Sequence, residues 1–191
     1  ERTLTPWTQS FKRRLPWLFV NLLTACLAGA VVGVFQGTIQ EFVVLAVFLP
    51  IIASQGGNAG MQTVTVIIRD MALGELSPGD GRKALFKELL LGLLIGTIIG
   101  LIVGLVSYLI APKFGITAEM GAILGLVVGA AMVLNLLAAA LFGVLIPFAL
   151  KFFRLDPALG SSILITTVTD VAGFFFLLAL AKWILTGSPQ A

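Results

Sequence analysis

Residues 158–181 read ALGSSILITTVTDVAGFFFLLALA, an apolar run long enough to cross a bilayer with a single ionisable residue, Asp170, near its middle. Twelve residues separate Asp170 from Ala158 and from Lys182 alike, about 18 Å of helix in either direction. That places the carboxylate near the bilayer midplane. An ionised side chain there costs about 2.5–3.5 kcal/mol on insertion scales, so it is expected to have work to do. Its company points the same way. Ser162, Thr166, Asp170 and Gly173 follow steps of four, four and three, and Thr169 lies at the edge of that stripe. Ile163, Leu164, Ile165, Val168 and Phe174 to Phe176 cover much of the rest, so the helix has one wet side. A protonated acid that merely hydrogen-bonds a neighbouring helix is the plainer reading, and the hydroxyl company argues against it.

The rest of the chain supplies the setting. Its 191 residues are 59% apolar and 11% charged, with a mean hydropathy of +1.09, which implies an all-α integral membrane protein. Five long apolar runs, about Leu15–Phe35, Phe42–Ile68, Leu89–Ile110, Met120–Leu150 and Ala158–Ala181, predict five transmembrane helices. They fill a pore domain over 15–187, between a juxtamembrane segment 1–14 and a short tail 188–191. Asp170 is the one acidic or basic residue inside these runs. Cys26 is alone, so no disulfide framework is implied, and without histidine any intramembrane metal site must be built from oxygen. Oxygen ligation favours magnesium, calcium or manganese.

The basic residues orient the chain. With the amino terminus inside, the inner segments hold Arg2, Lys12, Arg13, Arg14, Arg69, Arg82, Lys83, Lys87, Lys151 and Arg154, against Lys113 and Lys182 outside. That asymmetry puts the amino terminus in the cytoplasm and the carboxyl terminus outside. The charge is thereby a topology signal, with no nucleic acid implied.

The second run is expected to be interrupted. Pro50 removes a helical hydrogen bond, and Gly56-Gly57-Asn58-Ala59-Gly60 is a stretch a helix tolerates poorly. A break at membrane depth needs protein or water around it, so Ser54, Gln55, Asn58, Gln62, Thr63 and Thr65 are candidates to line a cavity; a kink that lets another helix approach is the alternative. Gly37–Glu41 reads as a short turn, and Arg69–Lys87 as the longest polar connection, with a turn at Ser77-Pro78-Gly79-Asp80. Gly92, Gly96, Gly100 and Gly104 form a stripe suited to close helix packing, as do Gly29, Gly33 and Gly37. Pro147 marks an expected kink, Asn135 a hydrogen bond across helices or, as the alternative, a place facing the wet stripe, and Pro157 the first residue of the last span.

One protomer offers one intramembrane carboxylate, and a stripped magnesium ion demands near-octahedral oxygen ligation. A two-fold dimer with the last span on its axis would bring two copies of Asp170 together, able to hold a hydrated divalent ion through its waters.

Two stretches resemble the MgtE family of magnesium channels. The run Pro50–Arg69, with Gly56-Gly57-Asn58-x-Gly60-x-Gln62 and a terminal Ile-Ile-Arg, resembles that family's second span. Asp156-Pro157-Ala158-Leu159 followed by Thr169-Asp170-Val171-x-Gly173 resembles its fifth. The resemblance implies a homodimeric Mg²⁺ channel of a bacterial inner membrane, not an enzyme, with the pore at the subunit interface and Mg²⁺ as permeant and bound ion. It implies that Asp170 and the carbonyl of Thr166 serve the ion site, and that Asn58, Gly57, Ser162, Thr169 and Gly173 line the pore. Some relatives have Asn-Pro where this chain has Ser162-Ile163. Family members usually carry a cytoplasmic amino-terminal domain and CBS domains, so residues 1–14 are expected to be the tail of a connecting helix, or the chain a naturally short relative. Partners would be a second copy, membrane lipids and divalent cations. Two other readings stand beside this: a proton- or sodium-coupled carrier, with Thr63-Val64-Thr65 and Thr167-Val168-Thr169 as traces of a repeat, and a non-transporting packing subunit. A lone carboxylate without partner acid, histidine or serine–base pair argues against an enzyme.

Overall fold

The computed structural model describes residues 6–75, 80–155 and 157–185. The turn expected at Ser77-Pro78-Gly79, Asp156 of the second motif, residues 1–5 and the tail 188–191 lie outside them. Among the described residues there is no strand: α1 (Trp7–Val34), α2 (Gln36–Glu41), α3 (Leu45–Leu73), α4 (Asp80–Ile110), a 3₁₀ turn (Ala111–Phe114), α5 (Ala118–Phe152) and α6 (Pro157–Leu185). Four of the helices are long and apolar enough to cross a membrane, α1, α4, α5 and α6, with mean hydropathies of 2.0 to 2.8 in their most apolar windows. α3 is equally long at 29 residues, but Ser54, Gln55, Asn58 and Gln62 dilute it.

Three helices end in the same way. At Gly74 the left-handed residue lets Glu75 N–H reach Asp70 O at 3.0 Å, and at Gly115 Ile116 N–H reaches Ala111 O at 3.3 Å. Both are Schellman stops. At the end of α5 the left-handed position is held by Arg154, φ 58°, with Leu155 N–H on Leu150 O at 2.9 Å. α5 opens on Thr117, whose hydroxyl accepts from Met120 N–H at 3.4 Å, with Glu119 in its first turn and Lys151 in its last, the signs that suit the helix dipole.

α5 is the centre of the bundle, half buried along its most apolar window, and α3, α4 and α6 all pack on it. α1 is peripheral. It rests on α6, where Trp17 covers Gly160, and only 6% of its most apolar window is buried. A Cβ added to Gly29, Gly33 or Gly37 would meet no atom of another described element within 4 Å, so the small-residue face expected for close packing is open in the protomer.

The α4–α5 contact is made by glycines. A Cβ on Gly100 would lie 2.7 Å from Gly129 O, and one on Gly104 2.6 Å from Gly125 O. Gly92 meets Ala140 and Leu136 O, and Gly96 meets Val133. All four stripe residues are buried. Backbones this close gain dispersion that lipid cannot supply.

Three expectations about continuity are corrected. α3 is unbroken from Leu45 to Leu73. Its glycines serve packing: a Cβ on Gly56 would strike the Asn135 amide, one on Gly60 would lie 2.9 Å from Ile165 Cδ1, and Thr63 fills the space over Gly143. Tertiary fit outweighs the weak helix propensity of that stretch, and Pro50, one turn into the helix, leaves a single carbonyl without its partner. The turn at Gly37–Glu41 is likewise the helix α2, Gln36–Glu41. Most of the expected connection Arg69–Lys87 is helical too, as the ends of α3 and α4.

Candidate functional site

Two hydrophobic clusters hold α3, α5 and α6 together. The larger joins Leu45, Phe48 and Ile52 to Leu124, Val128 and Met132 of α5 and to Leu177 and Leu178 of α6; the smaller is Val64, Ile146, Leu150 and Ile165. Between them lies a polar layer. Asn135, fully buried, donates from Nδ2 to Ile52 O at 2.8 Å across the α5–α3 contact, as expected of a hydrogen bond between helices. Its Oδ1 is buried with no partner among the described residues. Gly56 of α3 and Gly173 of α6 both make room for this amide; a Cβ on Gly173 would stand 2.8 Å from Asn135 Nδ2.

At the same level, on the outer side of the α3–α6 contact, is a recess of about 220 Å³. Ala53, Ser54, Gly57, Asn58 and Met61 form one wall, Thr166 and Asp170 the other. Asp170 is half-buried and Asn58 exposed. A second recess, about 350 Å³, continues past Met61 towards Thr65, Arg69 and Ser162. The two recesses share Met61 and follow one another along α3 and α6, a groove with Asp170 in its first part and Arg69 in its second.

The threonines of the groove satisfy their hydrogens locally. Thr166 Oγ1 donates to Ser162 O at 2.9 Å and Ile163 O at 3.1 Å. Thr65 Oγ1 donates to Met61 O at 2.7 Å. Such back-bonding to the preceding turn leaves oxygen lone pairs facing outwards. Among the described residues no three of His, Cys, Asp and Glu gather where a metal ion could be held; the groove offers one carboxylate, an amide and hydroxyls.

A sequence profile of the MgtE family, described as a divalent cation transporter, matches residues 49–180. The chain is 34% identical over 172 residues to a magnesium transporter MgtE of Thermus thermophilus and 30% over 169 residues to one of Bacillus subtilis, covering 90% and 88% of this chain. The chain belongs to the MgtE family. It spans 36% of the length of each of these relatives. The family is one of transporters, not enzymes, and the resemblance of the two motifs is matched along nearly the whole chain.

In this MgtE-family chain the residues singled out from sequence divide into two groups. Asp170, Thr166, Asn58 and Gly57 meet at the recess, and Ser162 lies in its continuation. Thr169 and Gly173 do not line it. Thr169 is fully buried, its Oγ1 donating to Ile165 O at 2.9 Å and Thr166 O at 3.1 Å, against Gly56 and Gly57 of α3. Gly173 is packed on Asn135 and Ile52. The Thr166 carbonyl thus accepts the Thr169 hydroxyl, while the Thr166 hydroxyl donates to Ser162 O and Ile163 O. Sequence reasoning missed Glu88. It is buried in α4, and its Oε2 accepts from Thr63 Oγ1 at 2.9 Å. The signal was present: Glu88 stands four residues before Gly92, at the head of the glycine stripe.

Proposed function

We propose that this chain forms the membrane pathway of a Mg²⁺ channel: five spans including α3, two copies about a two-fold axis, and a hydrated ion held between paired Asp170 side chains. The observation that carries the reading is the recess between α3 and α6, where Asp170, Thr166 and Asn58 meet at the level of the buried Asn135 layer. A carboxylate, an amide and hydroxyls along the outside of a membrane helix pair are poorly matched to lipid. Two such grooves face to face enclose an aqueous path.

The electrostatics suit a divalent ion that keeps its water. Two carboxylates about 9 Å apart, leaving room for an ion and its first shell, repel by roughly 2 kcal/mol at an effective dielectric of about 20. One divalent cation between them cancels both charges. Mg²⁺ releases water reluctantly, whereas Ca²⁺ accepts six to eight ligands in flexible geometry. A site that touches the ion through water therefore favours the ion with the firmer shell. Asn58 and the Thr166 hydroxyl supply further partners for those waters. On the basic-residue asymmetry the ion enters a bacterial cytoplasm whose side carries Arg69 and the amino terminus.

The test is cation flux into proteoliposomes, wild type beside Asp170→Ala and Asp170→Asn, with Mg²⁺, Mn²⁺ and Ca²⁺ supplied in turn and internal pH followed. Fast Mg²⁺ flux without linked proton movement is expected in the wild type. In both variants it falls to the level of empty vesicles while the protein still elutes as a folded dimer. Flux that survives Asp170→Ala refutes the ion site, and slow flux tied to acidification refutes the channel in favour of a carrier.

A further inference from the structure

α3 and α4 both rest on α5, yet they diverge, and the space between them is a cleft of about 220 Å³ on the flank of the bundle away from Asp170. Its lining is graded. At one end lie Gln62, Thr63, Lys87 and Glu88; towards the other, Leu91 and Ile95. Glu88 immediately precedes the apolar run of α4, and Ile95 lies seven residues further in, about 10 Å along the axis. The polar end is thus at headgroup level and the apolar end within the hydrocarbon. Leu91 and Ile95 are 39% and 46% exposed, so the cleft opens sideways towards acyl chains.

The charges at the polar end are arranged as a pair. The Glu88 side chain is only 9% exposed; Oε2 accepts from Thr63 and Oε1 faces Lys87 Nζ at 3.2 Å, with the Lys87 side chain 63% exposed. A carboxylate held that deep beside hydrocarbon needs a hydrogen-bonding partner on its open side. Lys87 reaches it from water, on a long stem that can turn away at little cost. From the sequence and this pairing we infer that the cleft is a site for a zwitterionic phospholipid with a primary-amine headgroup, its ammonium on Glu88, its phosphate on Lys87 and one acyl chain along Leu91 and Ile95. The choice of headgroup follows from charge complementarity. An anionic glycerol headgroup offers Glu88 only neutral hydroxyl donors and no positive charge, and a choline headgroup carries its positive charge without an N–H to donate.

The experiment uses the whole chain, purified in mild detergent, equilibrated with equal amounts of phosphatidylethanolamine, phosphatidylcholine and phosphatidylglycerol, and read by native mass spectrometry. The wild type is expected to retain phosphatidylethanolamine over phosphatidylcholine by about tenfold, the ratio one charge-assisted hydrogen bond supplies. Glu88→Gln, which keeps an acceptor for Thr63, should bring that ratio close to one, and Leu91→Trp should lower retention of all three lipids. Equal retention in the wild type overturns the proposal without recourse to any variant, as does a preference that persists in Glu88→Gln. A Cys26→Ser, Ile95→Cys chain that links to a second copy through the new thiol also overturns it, by naming another occupant. Because retention is read and not flux, the outcome is independent of the proposed pore.

Discussion

Asn135 is the residue on which three helices agree. Its amide fits only because Gly56 and Gly173 lack side chains, and it ties α5 to the Ile52 carbonyl of α3. Asn135→Ala is expected to lower stability by about 1–2 kcal/mol, the range for a hydrogen bond between membrane helices plus a small void. Gly56→Ala should cost at least as much in the wild type and distinctly less in the Asn135→Ala background, because the overlapping amide is gone. A double-mutant cycle by unfolding in mild detergent checks this; strict additivity would mean that the two do not share the space. Thr169→Val, which replaces a buried back-bonding hydroxyl, should leave Mg²⁺ flux within about twofold of wild type if Thr169 is packing and not lining. At this scale the sequence was informative about chemistry and less so about direction. A lone carboxylate in hydrocarbon marks itself by its cost, so Asp170 was legible. Periodicity says that Thr166, Thr169, Asp170 and Gly173 share a face of roughly 100°, but not which neighbour meets each edge of it. The structure turns Thr169 and Gly173 inwards and Thr166 and Asp170 to the groove.

Among the elements, α3 is the instructive case. Its glycines looked like places where a helix gives way, and they are places where other side chains come in. Composition alone could not separate these, since the same residue serves flexibility and close approach. The glycine stripe of α4 was read more easily because its spacing is unbroken and no polar residue interrupts it, while Glu88 at its head was hidden by standing just outside the apolar run. Gly100→Val is expected to destabilise by about 2–3 kcal/mol through collision with Gly129 O, measured as loss of the folded species on gel filtration. At the other end of α5, Arg154 holds a left-handed position where Gly74 and Gly115 stand at the other stops. Arg154→Gly should raise stability by about 1 kcal/mol, seen as a higher Tm.

For the molecule as a whole, the all-helical, membrane-spanning character and the length of the fourth run were within reach of hydropathy, but the central place of α5 was not, because it depends on which small residues face each other. Besides the α3–α4 cleft, the protomer leaves open the groove of α3 and α6 and the glycine face of α1. If the groove lies on a two-fold axis, Asn58→Cys in a Cys26→Ser background should cross-link two copies at high yield under mild oxidation. A cysteine at Phe86, exposed on α4, should not. The threonines of the groove add a consequence for the sign of the permeating charge. Thr166 has given its hydrogen to its own helix, so towards the recess it can only accept. Water around a cation turns its hydrogens outwards, and water around an anion turns its lone pairs outwards. A wall of back-bonded hydroxyls therefore tells the two hydration shells apart by the orientation of the solvent, before the ion itself is touched.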